Sequence, residues 1–178
     1  DALGNAGILN VFAAGNDSRN TDTLPAYPAS YSSPSIMSVA NSNSSDGRAS
    51  SSNVGIVTVD LAAPGTVILS TTYFGNSTYG PLSGTSMATP HVAGAAALLS
   101  AYNPALSVPS LKATLMNNVD VLPTWATLVK TGGRLNVDRA LRNQTVCNFT
   151  VGGGSMTVPT KGGYFTVNVT PGTNCDYT

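Results

Sequence analysis

The chain has 178 residues, enough for one main domain with a small appendage. Only 9% of them are charged, eight basic against eight acidic, so no basic field exists to hold phosphate backbones or anionic lipid, which argues against nucleic acid as a partner. The apolar fraction of 42% can build a core, but no run nears the roughly 18 apolar residues that a helical membrane span requires.

Ser, Thr and Asn take the place of charge, with 18 Gly and 11 Pro spread through the chain. That mix suits a loop-rich secreted protein. Asp1 to Gly7 reads as the end of a helix stopped by glycine, as in a piece of something longer. Ile8 to Ala14 is a short apolar run between glycines and predicts a buried strand. After a polar, Pro-containing loop, Ile36 to Ala40 predicts a second strand. Ile56 to Leu61 and Val67 to Thr72 predict two more, separated by the breaker Ala63-Pro64-Gly65. Tyr73 to Ser83 is turn-rich. Ser86 to Tyr102 is small or apolar on nearly every face, the composition of a helix buried all round, and Pro104 stops it. Val108 to Asn117 predicts a second helix, with Leu111 and Leu115 one turn apart and Ser107 as its cap. A short segment over Leu135 to Leu141 closes the main domain near residue 142. Strands separated by helices imply an α/β layered fold with a mostly parallel sheet.

The remainder, 143–178, has the alternating patterns of a small β-module at Val146 to Val151, Met156 to Val158 and Tyr164 to Val169. It holds both cysteines of the chain, Cys147 and Cys175. No metal-ligand spacing surrounds them and the lone histidine, His91, is distant, so a disulfide is expected, the alternative being two free thiols. Six Asn-x-Ser/Thr sequons, at Asn16, Asn43, Asn76, Asn143, Asn148 and Asn168, fit the secretory route.

The most informative stretch is Ser83 to His91 (SGTSMATPH). Gly84 permits a tight turn, Ser86 falls at the N-cap or first turn of a helix, and Pro90 is expected where no helical N–H is lost. A serine beside unpaired helix N-terminal N–H groups sits in positive potential, which favours the oxyanion formed during acyl transfer. The alternative is an ordinary capping serine. The small residues Ala93 to Ala97 predict close packing of the helix on the sheet, holding Ser86 rigidly.

Gly84-Thr85-Ser86-Met87-Ala88-Thr89-Pro90-His91-Val92-Ala93-Gly94 resembles the nucleophile motif of subtilisin-like serine proteases. Ala13-Ala14-Gly15-Asn16, Tyr27-Pro28-Ala29, Ala63-Pro64-Gly65 and Gly133-Arg134-Leu135-Asn136-Val137 stand in that family's order. The resemblance covers about residues 1–142. It implies the C-terminal half of a peptidase domain, with Ser86 as nucleophile and Asn16 as oxyanion-hole donor. Ala14, Gly15, Gly84 and Thr85 fall at its substrate-binding positions, and protein or peptide is the implied substrate. Met87 falls where oxidation crowds the family's site, and Tyr27-Pro28 resembles a cis peptide bond. The tail, through Cys147-x-Phe149-x-Val151, Gly162-Gly163 and Asn174-Cys175-x-Tyr177, resembles the opening part of a BACON-like β-module.

The same resemblance implies a triad running Asp, His, Ser, whose first two members would precede residue 1. His91 is no substitute: five residues beyond Ser86 on one helix, it lies about 140° around the axis. The family's pattern makes it a buried structural residue. Without a base, serine is a poor nucleophile, so the upstream half is needed and this portion alone is expected to be inactive. No cofactor is expected for catalysis. The resemblance implies a structural calcium ion, which the family often holds by carbonyls between Pro28 and Asn43 plus a carboxylate, but Asn43 stands where some relatives carry Asp, and an amide is the poorer ligand. The competing functions are a non-catalytic pseudoprotease or a secreted binding or adhesion module; a lipase of the α/β-hydrolase type fits less well, because its histidine would follow the serine in another position.

Overall fold

A computed structural model of the chain describes residues 2–73 and 75–143 in full, and 149–152 and 168–171 as backbone. The chain divides into two units, with the division between Arg142 and Asn143. The first unit begins with α1 (Ala2–Asn5), closed by Gly7 at φ 80°, as the glycine stop predicts. Strands β1 (Asn10–Ala13), β2 (Ile36–Ser42), β3 (Leu61–Pro64), β4 (Ile68–Thr71) and β5 (Tyr79–Leu82) follow. Then come α2 (Thr85–Tyr102), α3 (Val108–Asn117), β6 (Asp120–Val121), a 3-10 turn (Pro123–Trp125), β7 (Gly133–Arg134) and α4 (Val137–Arg142).

Five strands form one sheet in the order β1-β2-β3-β7-β6, parallel except for β6; β4 and β5 form a separate antiparallel hairpin. This is the expected α/β architecture with a mostly parallel sheet and helices against it. One face packs on α2 and α3: Met37, Val39, Leu61 and Ala63 meet Val92, Ala95, Leu99, Leu111 and Leu115. The other face carries a smaller core of Ala14, Ala40, Val59, Ala62, Trp125 and Val129. Trp125 is fully buried and satisfies its indole by donating Nε1–H to the Asp46 carbonyl at 2.7 Å. Arg134 fastens the edge, pairing with Asp46 and, at 2.9 Å, with Asp120, which also accepts from the Asn136 amide at 2.8 Å.

Several expectations are corrected. The strand expected at Ile56 to Leu61 is instead β3, starting where that segment ends. The Asp22 carboxylate draws the Val57 and Thr58 N–H groups into a turn, so Ile56 and Val57 are exposed and unavailable to the sheet. Ala63-Pro64 is therefore the end of a strand; Pro64 is tolerated as its last residue. Helix α2 is not buried all round. Ala88, Val92, Ala95, Ala96 and Leu99 face the core, whereas Ala93, Gly94, Ala97 and Leu98 are exposed, so close packing of the small residues holds for one face only. Pro90 is the sixth residue of α2, past the orphan positions, and denies the Ser86 carbonyl its helical donor. His91 is exposed rather than buried, with Nδ1 2.9 Å from the Met87 carbonyl oxygen.

Helix α3 has the expected bounds, and Ser107 caps it by accepting the Ser110 N–H at 3.3 Å. Tyr27-Pro28 is cis. In the second unit β8 (Phe149–Gly152) pairs antiparallel with β9 (Asn168–Pro171). Cys147, Cys175, Met156 to Val158, Gly162-Gly163, Asn174 and Tyr177 lie outside the described residues. Among the described residues no helix is long and apolar enough to cross a membrane.

Candidate active site

The nucleophile motif, the end of β1 and the loop after it converge on the N-terminus of α2. Ser86 stands in the first turn and is exposed; Gly84, not a side chain, occupies the cap position. The other first-turn donors are engaged. Thr85 N–H donates to Asn16 Oδ1 at 2.9 Å, and the Met87 and Ala88 N–H groups reach the Gly84 carbonyl at 3.0 and 3.3 Å. Among the described residues the backbone N–H of Ser86 has no partner.

Asn16 is oriented by what its oxygen accepts. Both the N–H and, at 3.2 Å, the hydroxyl of Thr85 donate to Oδ1, which fixes the amide so that Nδ2 is on the other side. That NH₂ group likewise has no partner among the described residues, and Asn16 is exposed. Ser86 N–H, on the first turn of α2, and Asn16 Nδ2, on the loop bonded to that turn, are thus two unused donors at the positive end of an 18-residue helix. The fully buried Thr85 ties the two segments together, since its Oγ1 also accepts the Gly15 N–H at 3.2 Å.

The loop carrying Asn16 is set by a residue that the sequence does not single out. Asn53, fully buried, donates Nδ2–H to the Ala14 carbonyl at 2.9 Å and accepts the N–H groups of Asp17 at 2.9 Å and Arg19 at 3.1 Å. Its amide passes so close to Gly15 that a Cβ there would lie 2.4 Å from Nδ2, and φ at Gly15 is 104°. Both facts demand glycine. No local pattern marks Asn53, which sits in a Ser/Asn-rich run; only the long-range fold gives it this role.

Under the motif, Gly65 accepts the Gly84 N–H at 2.8 Å, and a Cβ on Gly65 would lie 2.6 Å from both the Gly84 carbonyl and Asn41 Oδ1. Alongside, a groove of about 290 Å³ is lined by Ile68, Leu69, Ser70, Met87, Pro90 and His91. His91 lines this groove beside Met87 and Pro90. Asp22 braces the neighbouring turn. Partial burial works to raise its pKa, but hydrogen bonds from the Thr58 hydroxyl and the Thr58 and Val57 N–H groups outweigh this and hold it below the ordinary value. The predicted positions Ala14, Gly15, Asn16, Gly84, Thr85 and Ser86 are therefore brought together, 70 residues apart in sequence at the Gly15–Thr85 contact. Cys147 and Cys175 lie outside the described residues.

Most of the chain is similar to known proteins. The sequence profile described as the subtilase family matches residues 2–154. The chain is 42% identical to thermitase of Thermoactinomyces vulgaris over 138 residues, 78% of this chain and 46% of thermitase. It is 50% identical to subtilisin NAT of Bacillus subtilis subsp. natto over 106 residues, 58% of this chain and 26% of that protein. A solved structure described as proteases from Pseudoalteromonas arctica PAMC 21717 superposes with a TM-score of 0.68 at 30% identity, covering 78% of this chain and 43% of its own. The chain thus spans half or less of the length of these relatives. With most of its sequence matched and its fold shared, the chain belongs to the subtilase family.

Proposed function

We propose that this chain contributes the nucleophile and oxyanion hole of a secreted serine endopeptidase. The observation that carries the reading is the pair of unpartnered donors, Ser86 N–H and Asn16 Nδ2–H, brought by the Asn16–Thr85 bond to the turn that carries the exposed serine. Ser86 Oγ attacks the peptide carbonyl carbon and gives its proton to a histidine, which returns it to the departing amine; water then hydrolyses the acyl-enzyme. The negative oxygen of each tetrahedral intermediate lies between the two donors. Ala14, Gly15, Gly84 and Thr85 border the bound peptide.

The histidine and its orienting aspartate are assigned to residues upstream of this chain, because His91 lies about 140° around α2 from Ser86 and its Nδ1 is 2.9 Å from the Met87 carbonyl oxygen. The open face of α2 supports the same assignment: a Cβ on Gly94 would meet nothing within 4 Å, and Leu98 is 48% exposed. A face of small residues of this kind suits another layer of the same domain. By itself the chain is expected to be inactive. The Cys147–Cys175 disulfide and a BACON-like identity for the tail belong to this proposal as expectations of an extracellular protein.

A fluorophosphonate probe tests the reading. Labelling at Ser86 in the full-length protein, abolished in Ser86→Ala, is the expected result. Failure of the intact full-length protein to label would favour a non-catalytic binding role.

A further inference from the structure

A further cavity has no residue of the Ser86 motif in its lining. It holds about 360 Å³ between the segment 29–36 and the entrance to β3, and its polar lining includes Tyr31, Ser33, Thr58, Asp60, Lys112 and Lys130. The Asp60 side chain is 8% exposed. Its Oδ2 accepts the Ser38 N–H at 2.9 Å and the Lys112 ammonium at 3.0 Å. The same Nζ donates to the Ile36 carbonyl. One ammonium therefore bridges a backbone carbonyl at the start of β2 and a buried carboxylate at the start of β3, the kind of oxygen pair that a hard metal ion takes.

This region is where the family resemblance implies calcium, but its oxygens are already held by a cation, the Lys112 ammonium. Asp60 is the one carboxylate lining the cavity, against two ammonium groups. Asn43 Oδ1 is committed to its own turn, accepting the Ser45 and Gly47 N–H groups at 2.9 Å each. A calcium ion would have to displace Lys112 from both oxygens and then sit beside that displaced charge and Lys130, in a place where water screens little.

We propose that the Lys112 ammonium is a built-in cation that stitches β2 to β3 and excludes divalent metal from this cavity. Lys112 then does for Asp60 and the Ile36 carbonyl what a bound ion would do, without dependence on the medium. Removing the charge while keeping the bulk, as in Lys112→Met, leaves Asp60 buried with one N–H donor. That vacated oxygen set should recruit a cation from solution.

The test is calcium stoichiometry by isothermal titration, paired with thermal midpoints with and without calcium, on the full-length protein inactivated by Ser86→Ala. Any calcium bound elsewhere then appears as a constant background. Asp60→Asn should bind the same number of ions as the parent. Lys112→Met should bind one more and show a larger calcium-dependent rise in midpoint, both lost in the double variant with Asp60→Asn. One ion fewer in Asp60→Asn, or an unchanged count in folded Lys112→Met, would overturn the proposal. If Lys112→Met does not fold, the Asp60→Asn comparison decides by itself.

Discussion

Asn16 Oδ1 accepts the backbone N–H of Thr85 at 2.9 Å, joining the loop after β1 to the turn that presents Ser86. The bond uses the amide's acceptor and leaves its donor, so orientation and availability come from one contact. In the proposed function, Asn16→Ala removes a donor aimed at charge that exists only in the transition state. It should lower kcat with little change in KM. In subtilisin, the case from which the figure comes, such a loss is about a hundred- to a thousandfold, and that range is expected for the full-length protein here. A rise in KM at constant kcat would show instead that Asn16 only binds substrate.

Asn53 should matter nearly as much without touching substrate. Its amide makes bonds of 2.9, 2.9 and 3.1 Å to the backbone of Ala14, Asp17 and Arg19. At about 0.5–1.5 kcal/mol net for each bond, Asn53→Ala should destabilise the protein by roughly 2–4 kcal/mol. The loop would also lose the support that holds Asn16. Chemical denaturation gives the first quantity and kcat the second. If stability falls while kcat of the folded variant is unchanged, Asn53 supports the fold alone.

Asp120 couples stability to acidity. The Asn136 amide hydrogen bond lowers its pKa most, partial burial opposes it, and Arg134 and Arg139 lower it further, for a net value below the ordinary one. The folded pKa thus lies beneath the unfolded value of about 3.9. The associated stabilisation is complete above that value and is lost as pH falls through the folded pKa. In the Ser86→Ala background, which prevents self-cleavage, the melting temperature should drop as pH falls below about 4. Asp120→Asn should melt lower at neutral pH but decline less steeply in acid. Parallel curves would remove Asp120 as a contributor.

Where the sequence is legible, the cause is local. Helix α3 is bounded by its own serine cap and by Leu111 and Leu115 on one face, and the α2 turn carries its motif within eleven consecutive residues. What is not legible depends on partners far along the chain. The β3 boundary is decided by Asp22, 35 residues from Val57. The hairpin strand β5 escapes because it holds Pro81 and exposes Tyr79 and Leu82 at 70% and 45%, leaving no buried alternation to detect. Small residues along α2 report that close packing is possible on either face, but not which face is covered. Asn53 differs from the serines and asparagines around it only in meeting the loop after β1, 36 residues away at its contact with Asp17.

Val67 offers a stability test at a strained position between β3 and β4. It is 66% exposed, its φ is 57°, and its N–H donates to Ser83 Oγ at 2.9 Å. A β-branched residue in the left-handed region pays a steric cost of roughly 1–2 kcal/mol. Val67→Gly relieves that cost but adds unfolded-chain entropy of about 0.5–1 kcal/mol. The expected result is a net gain of up to about 1 kcal/mol, which raises the melting temperature by roughly 2–4 °C for a protein of this size or somewhat larger. Val67→Ala is the control, because alanine keeps the Cβ that clashes with the backbone and should gain little. Equal gains from both substitutions would assign the effect to the exposed isopropyl group, and no gain from glycine would mean that the surrounding loop already accommodates valine.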